Sequence, residues 1–371
     1  MKFPESVELL IDVVAVPSPT GYEAEAARKL SERLLHFGWE TSHLDGMGSV
    51  VATRGKGEKE LVLLSHIDTV PGGPAFLVDE NRLVGRGSVD AKSPCCALAV
   101  GGGAVEVPDD WRITFVAAVG EEIDSRGARF RRPLHSPSAL VIGEPTGSNG
   151  VALSYRGRIM FQFYAQDSGA HRSGSPGPMT DVVQATSAVI HMTENLGKGY
   201  SIAVMKMDGR EEGWRTASII LDLRTPIGVV QDEIELMLNE TAAAYGVQLK
   251  IIENVAPQQV DKADPVIRAF RTAIREVTGA PARVLAKQGT CDLNTLASWA
   301  CPMGAYGPGD SQYDHSANEQ IQFKEFLRGV DVIKHAVPKI MTMVDKANAT
   351  AAAAAAAAQA EATANGEAAQ G

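Results

Sequence analysis

The sequence predicts an α/β protein in which one domain, a sheet with helices on both faces, is interrupted by a smaller α+β domain. Three observations predict it. Apolar runs of strand length alternate with helix-spaced segments over residues 1–150, the pattern of a sheet covered on both sides. Residues 151–258 change to a β-α-β-β-α-β order, which fits a ferredoxin-like sandwich. Residues 259–346 resume the first texture, so the smaller domain reads as an insertion into a discontinuous one.

The elements follow in chain order. Residues 5–15 have helical spacing, and in 21–37 Ala24, Ala27, Leu30, Leu34 and Leu35 recur at threes and fours until Gly38 closes the pattern. Strands are expected at 48–53, 61–65, 113–119 and 138–143, with a helix over 94–106. Leu61 to Leu64 form an unbroken apolar run, as a buried parallel strand requires. In the insert, strands at 158–165, 202–207, 218–223 and 247–255 are interleaved with helices at 180–195 and 230–245. A further helix follows at 265–278. Residues 347–371 hold no large apolar side chain, so they bury little area, although alanine favours transient helix.

At 371 residues the chain is long enough for about two domains with sizeable cores. A net charge of −10 argues against nucleic acid or an anionic membrane as a partner. One local basic run, Arg126, Arg129, Arg131 and Arg132, reads as a solvated loop. The four cysteines (Cys95, Cys96, Cys291, Cys301) show no framework spacing, which fits a reducing, cytoplasmic compartment. Pro4, Glu5 and Glu8 break up the start of the chain, so no secretory signal is expected, and no apolar stretch reaches membrane-spanning length.

The 61–65 strand runs straight into Ser65, His66, Ile67 and Asp68. Residues at i and i+2 of an extended chain point to the same side, so an imidazole and a carboxylate emerge together where open α/β sheets bind ligands. Four other segments repeat the theme: Asp90 in "GRGSVDAKSP", Glu121 and Glu122 in "FVAAVGEEIDSRG", Glu144 in "ALVIGEPTG", and His315 in "DSQYDHSANE". Each alone also reads as a turn, a cap or an exposed loop residue. Together they point elsewhere, because clustered acids at strand ends repel unless a cation neutralises them. Two His and three carboxylates suit a divalent-metal site of mixed N and O ligands, Zn²⁺ foremost. One carboxylate can bridge two ions about 3.5–4 Å apart, and a spare Glu beside them supplies a proton acceptor for water.

In this order the set HID, GRGSVDAK, GEE, GEPT and HSANE resembles the M20 metallopeptidase and deacylase family, over residues 1 to about 346. The resemblance implies a zinc-exopeptidase-like catalytic domain in two parts, 1–150 and 259–346. The ferredoxin-like insert at 151–258 would serve as lid and dimerisation domain, and 347–371 as a non-catalytic tail. It implies a C–N hydrolase with two divalent ions, Zn²⁺ or Co²⁺: one held by His66, Asp90 and Glu144, the other by Asp90, Glu122 and His315. Glu121 would be the general base and Asp68 the orienter of His66. His171 in "SGAHRSGSPG" matches a loop His that stabilises the oxyanion in the other subunit of a homodimer. Arg224 in "LDLRTP", with Gly289 and Thr290 in "KQGTCDL", matches positions that contact substrate. Cys291, where many relatives have Ser, and Ala91 after Asp90 depart from the pattern without removing a ligand. Within the family the motifs look most like the lysine-biosynthesis hydrolases, which implies an acidic amino-group carrier protein bearing lysine or ornithine as partner. Small N-acyl amino acids, dipeptides and a non-catalytic scaffold are the alternatives.

Overall fold

Leu61, Val62, Leu63 and Leu64 are fully buried, as an apolar run without alternation demands of a strand covered on both faces. They lie in the strand Lys59–His66, at the centre of a mixed sheet. It pairs in parallel with Trp111–Ala118 on one side and with Ala139–Gly143 on the other. Met303–Ala305 continues the parallel set beyond Ala139–Gly143. Val50–Gly55 and Thr41–Leu44 close the opposite edge as antiparallel strands.

The structure, a computed structural model, describes residues 2–171 and 173–368. The chain forms two units: Met1–Leu153 with Val260–Leu285 and Leu296–Gly371, and Ser154–Gln259 with Ala286–Thr295.

In the first unit, the helix Lys92–Gly103 is buried along its whole length. Its small residues allow that depth. A Cβ at Gly102 would lie 2.5 Å from Leu63 Cδ1, so a larger residue there would have to push that side chain or the helix away from the sheet. The helix Pro265–Thr278 spans the residues expected of it. Asp264 caps it, its Oδ1 accepting from Val266 N at 2.8 Å, and Gly279 ends it at φ +74.

Two expectations change. The arginine run is not a solvated loop: Arg126–Arg131 is a short helix. Arg126 pairs with the buried Glu23, and Arg131 contacts Asp45 and donates to His135 Nε2. Counter-charges drawn from elsewhere in the fold, invisible in the local sequence, hold it down. The alanine-rich stretch from 347 to 368 is also part of one continuous helix, Phe323–Ala368, with the stretch's side chains exposed through residue 359; residues 369–371 of the expected tail lie outside the described residues. Alanine's helix propensity and a helix already nucleated on the core account for the extension.

The second unit is an antiparallel sheet in the order Ser201–Arg210, Arg215–Thr225, Gly157–Asp167, Gln248–Val255. Numbered along the chain this is 2-3-1-4, the split β-α-β arrangement expected. Helices Pro178–Asn195 and Gln231–Ala244 cover it around Phe161, Phe163, Val189, Ile219, Leu221 and Leu238.

Candidate metal centre

Three neighbouring parallel strands deliver acids and an imidazole to one edge of the first unit's sheet. His66 is the last residue of its strand and stands in register with Ala118, while Ser65 stands opposite Gly143. Glu121 and Glu122 therefore follow on one side and Glu144 on the other. Gly120 makes the turn before the glutamates at φ +80, where a Cβ would collide with the Arg126 guanidinium. Asp90 precedes the buried helix Lys92–Gly103. His315 follows the 3-10 turn Ser311–Tyr313 and adopts φ +57.

Asp90 sits between the two imidazoles and presents a different oxygen to each. Oδ1 lies 3.2 Å from His66 Nε2, and Oδ2 lies 3.1 Å from His315 Nε2. Glu122 Oε2 is 3.0 Å from His315 Nε2. Glu144 Oε1 and Glu121 Oε2 approach His66 Nε2 at 3.9 and 4.0 Å. The site is half sunk: His66 is 1% exposed by side chain, Asp90 13%, and His315 50%. Among the described residues, His66, Asp90 and Glu122 offer ligand atoms within 4.8 Å of one another, close enough to hold one metal ion.

Asp68 contacts both sides of this arrangement. His66 Nδ1 lies 3.0 Å from the Asp68 carbonyl oxygen and 3.5 Å from its carboxylate. That carboxylate accepts from Thr20 Oγ1 at 2.7 Å and from the backbone N–H groups of Glu121 and Glu122 at 3.0 and 3.2 Å. It thus fixes the glutamate turn as well as facing the ring. Sequence reasoning missed another buried acid, Glu319, which accepts from the backbone N–H groups of Val89 and Asp90. Its place in the HSANE motif was visible, but its burial was not.

Crowded acids govern the protonation of the rings. Burial works against a charge on His66, yet hydrogen bonds to Asp68 and Asp90 and the charge of Glu121 push its pKa well above the usual imidazole range. Hydrogen bonds to Asp90 and Glu122 raise His315 to about 10. Burial would raise Asp90, but the two imidazoles hold it far below the usual carboxylate range. Five carboxylates (Asp68, Asp90, Glu121, Glu122, Glu144) face two imidazoles, so even with both rings protonated the acids are in excess. Such a donor set fits a divalent cation.

The remaining expected residues belong to the second unit. His171 is exposed in a loop, with Nδ1 2.6 Å from Ser173 Oγ. Arg224 is a quarter exposed; it donates to Asp222 Oδ2 at 2.9 Å and to Thr290 Oγ1 at 3.3 Å. Gly289 is exposed beside Thr290.

Comparison with known proteins bears on what this edge does. The pattern of peptidase family M20/M25/M40 matches residues 62–339. A LysW-lysine hydrolase of Deinococcus radiodurans is 30% identical over 351 residues, covering 90% of this chain and 96% of that protein. Among solved structures, the M20 family metallo-carboxypeptidase Sso-CP2 from Sulfolobus solfataricus superposes with a TM-score of 0.74 at 15% identity, over 92% of this chain and 99% of that one. The YXEP protein of Bacillus subtilis, described as a dinuclear metal binding peptidase of the M20 family, gives 0.67 at 12% identity, over 91% and 98%. At these identities the two structures speak to the fold alone.

Proposed function

The chain belongs to the M20/M25/M40 peptidase family, and from that premise we propose that it is a two-ion amide hydrolase releasing lysine from an amino-group carrier protein. The observation that carries the hydrolase reading is Asp90, one oxygen toward each of two imidazoles. His66, Asp90 and Glu144 would hold one ion and Asp90, Glu122 and His315 the other, with Zn²⁺ best suited to the mixed N and O donors. When bound, the ions supply Lewis-acid polarisation of the scissile carbonyl and lower the pKa of the attacking water.

The chain's own residues do the rest. Glu121 lies beside His66 at 4.0 Å, farther from the imidazoles than Asp90 or Glu122. In this reading its carboxylate accepts the proton of the attacking water and delivers it to the leaving amine. Asp68 orients His66 and, through the two backbone N–H groups it accepts, keeps Glu121 and Glu122 on their respective sides. His171 donates a hydrogen bond to the oxygen that gains charge, from the second subunit of a homodimer. Val204, Met205 and Met207, exposed on the edge strand Ser201–Arg210, support pairing of two copies there. Arg224, with Thr290 and Gly289, binds the α-carboxylate of the released amino acid. A cytoplasmic setting belongs to the same reading; no helix among the described residues is long and apolar enough to cross a membrane.

The substrate rests on the similarity to a LysW-lysine hydrolase. A second reading, hydrolysis of small N-acyl amino acids, is favoured by one observation. Arg126 and Arg131 are spent on Glu23, Asp45 and His135, which removes half of the basic run from any rim that would greet an acidic carrier. The test is a panel: metal-loaded protein against carrier–lysine and carrier–ornithine conjugates, acetyl-lysine, acetylornithine and a dipeptide. The proposal expects the carrier conjugates to be turned over best. A conjugate cleaved no better than acetyl-lysine at any salt concentration rejects the carrier and leaves the small-molecule reading.

A further inference from the structure

Arg86 and Glu319 stand behind the cluster and touch both of the loops that build its exposed half. Glu319 is fully buried. Its Oε1 accepts from Val89 N at 2.9 Å and Asp90 N at 3.1 Å, and its Oε2 accepts from Arg86 Nη1 at 2.5 Å. Arg86 then reaches onward, donating from Nη2 to the His315 carbonyl at 3.3 Å and from Nε to the Gly72 carbonyl at 3.1 Å. Beside the pair, Gly85 N donates to the Glu319 carbonyl at 3.1 Å, and Gln320–Gln322 pairs antiparallel with Arg82–Val84. One buried carboxylate and one guanidinium thus lace the chain before Asp90 to the chain around His315.

The two imidazoles are supported in unlike ways. His66 is buried on a strand bonded to neighbours on both sides. His315 stands on a loop, half exposed, at a positive φ. We propose that Arg86 and Glu319 are positioning residues whose ion pair fixes the Asp90 and His315 backbones in one frame, and so sets the His315–Asp90–Glu122 half of the centre for its ion. The His66 half is set by the sheet. The inference rests on the two-ion reading above. It also explains the residue types: a planar fork serves a carboxylate and two carbonyls at once, which a lysine ammonium on a flexible stem does not reproduce.

The experiment compares the full-length parent with Arg86→Lys, which keeps the charge, and Glu319→Gln, which keeps an acceptor for the Val89 and Asp90 N–H groups. Zn²⁺ affinity is measured by competition with a chromophoric chelator, and amide hydrogen exchange over 311–319 is followed in the metal-free proteins. Either variant should weaken one Zn²⁺ equivalent by roughly 10–100-fold, the usual effect of losing support behind a ligand, and the other, which shares Asp90 but is otherwise held by His66 on the sheet, by much less. Exchange over 311–319 should quicken while the 59–66 strand stays protected. Parent-like affinity at both equivalents with only a lowered Tm would make the pair merely structural and overturn the proposal. A parent that holds fewer than two ions would sink the two-ion reading instead. The exchange arm then still decides, since unchanged protection over 311–319 rejects the positioning role.

Discussion

Glu121 and Glu122 are neighbours in sequence and in the same turn, yet they meet different imidazoles. Glu122 Oε2 is 3.0 Å from His315 Nε2, whereas Glu121 Oε2 is 4.0 Å from His66 Nε2. Glu121→Gln should therefore keep the fold and most of the metal while lowering kcat by about 100-fold or more, because an amide accepts no proton. Glu122→Gln should lower metal occupancy instead. Kinetics beside metal content decides, and interchanged phenotypes would mean the two roles are reversed. Protonation gives a second prediction at this scale. His315, raised to about 10 by Asp90 and Glu122, binds its proton more tightly folded than unfolded. That contribution is fully present below the unfolded imidazole value and is lost as pH rises through about 10. His66 has the same sign. The Tm of chelator-stripped protein should fall between pH 7 and 10, and that of metal-loaded protein should not follow it, since ligation needs neutral imidazoles. A flat profile for the stripped protein contradicts this. Closeness in sequence leads one to expect that His66 and Asp68 meet, and they do, although the strand ends at His66 and Asp68 lies two residues beyond it. Glu319 was not readable in advance, because only the folded chain reveals that a loop glutamate is buried beneath Asp90.

Elements place these residues, and their legibility varies with their length. The apolar run Leu61 to Leu64 and the recurrence at threes and fours in 21–37 announce a buried strand and an amphipathic helix, and Lys59–His66 and Ala24–Arg33 answer to them. Thr41–Leu44, an edge strand with mostly exposed side chains, and Met303–Ala305, three residues long, carry too little pattern to be read. The helix Arg126–Arg131 was hidden for another reason: its arginines look solvated until Glu23 and Asp45 come into place. Asp264 tests the helix that covers the sheet near Met303. It caps the helix through Val266 N and also accepts from Met303 N at 3.3 Å. Asp264→Ala should cost about 1 kcal/mol, the usual loss of a side-chain cap. Burial raises this carboxyl to about 6, so the charged form is the disfavoured one. Stability held through it is fully present below the unfolded carboxyl value and lost as pH rises through about 6, so the penalty should be larger at pH 5 than at pH 8. Urea unfolding at both pH values checks it, and an equal penalty at both would contradict the assignment.

At the scale of the whole molecule, a β-α-β-β-α-β order differs from alternating parallel units, which is why an insert is expected over 151–258; the second unit holds that order but also takes Ala286–Thr295, which no change of texture announces. How two copies meet is not written in hydrophobic periodicity. The proposed homodimer has a direct consequence: if His171 serves the partner's cluster, His171→Ala and Glu121→Gln subunits should complement. Mixed under exchange conditions, two inactive proteins should recover part of the parent activity, because some mixed dimers carry one intact site. No recovery in verified heterodimers would place His171 in its own subunit's site or outside catalysis.

If Asp90 stands between two ion sites, metal content reveals it most directly. Elemental analysis of fully loaded parent, His66→Ala and His315→Ala proteins should give close to two ions per chain for the parent. Each variant should lose one, and not the same one, because each imidazole faces a different oxygen of Asp90. Full metal content in both variants, or a parent that takes up no divalent ion, would contradict it.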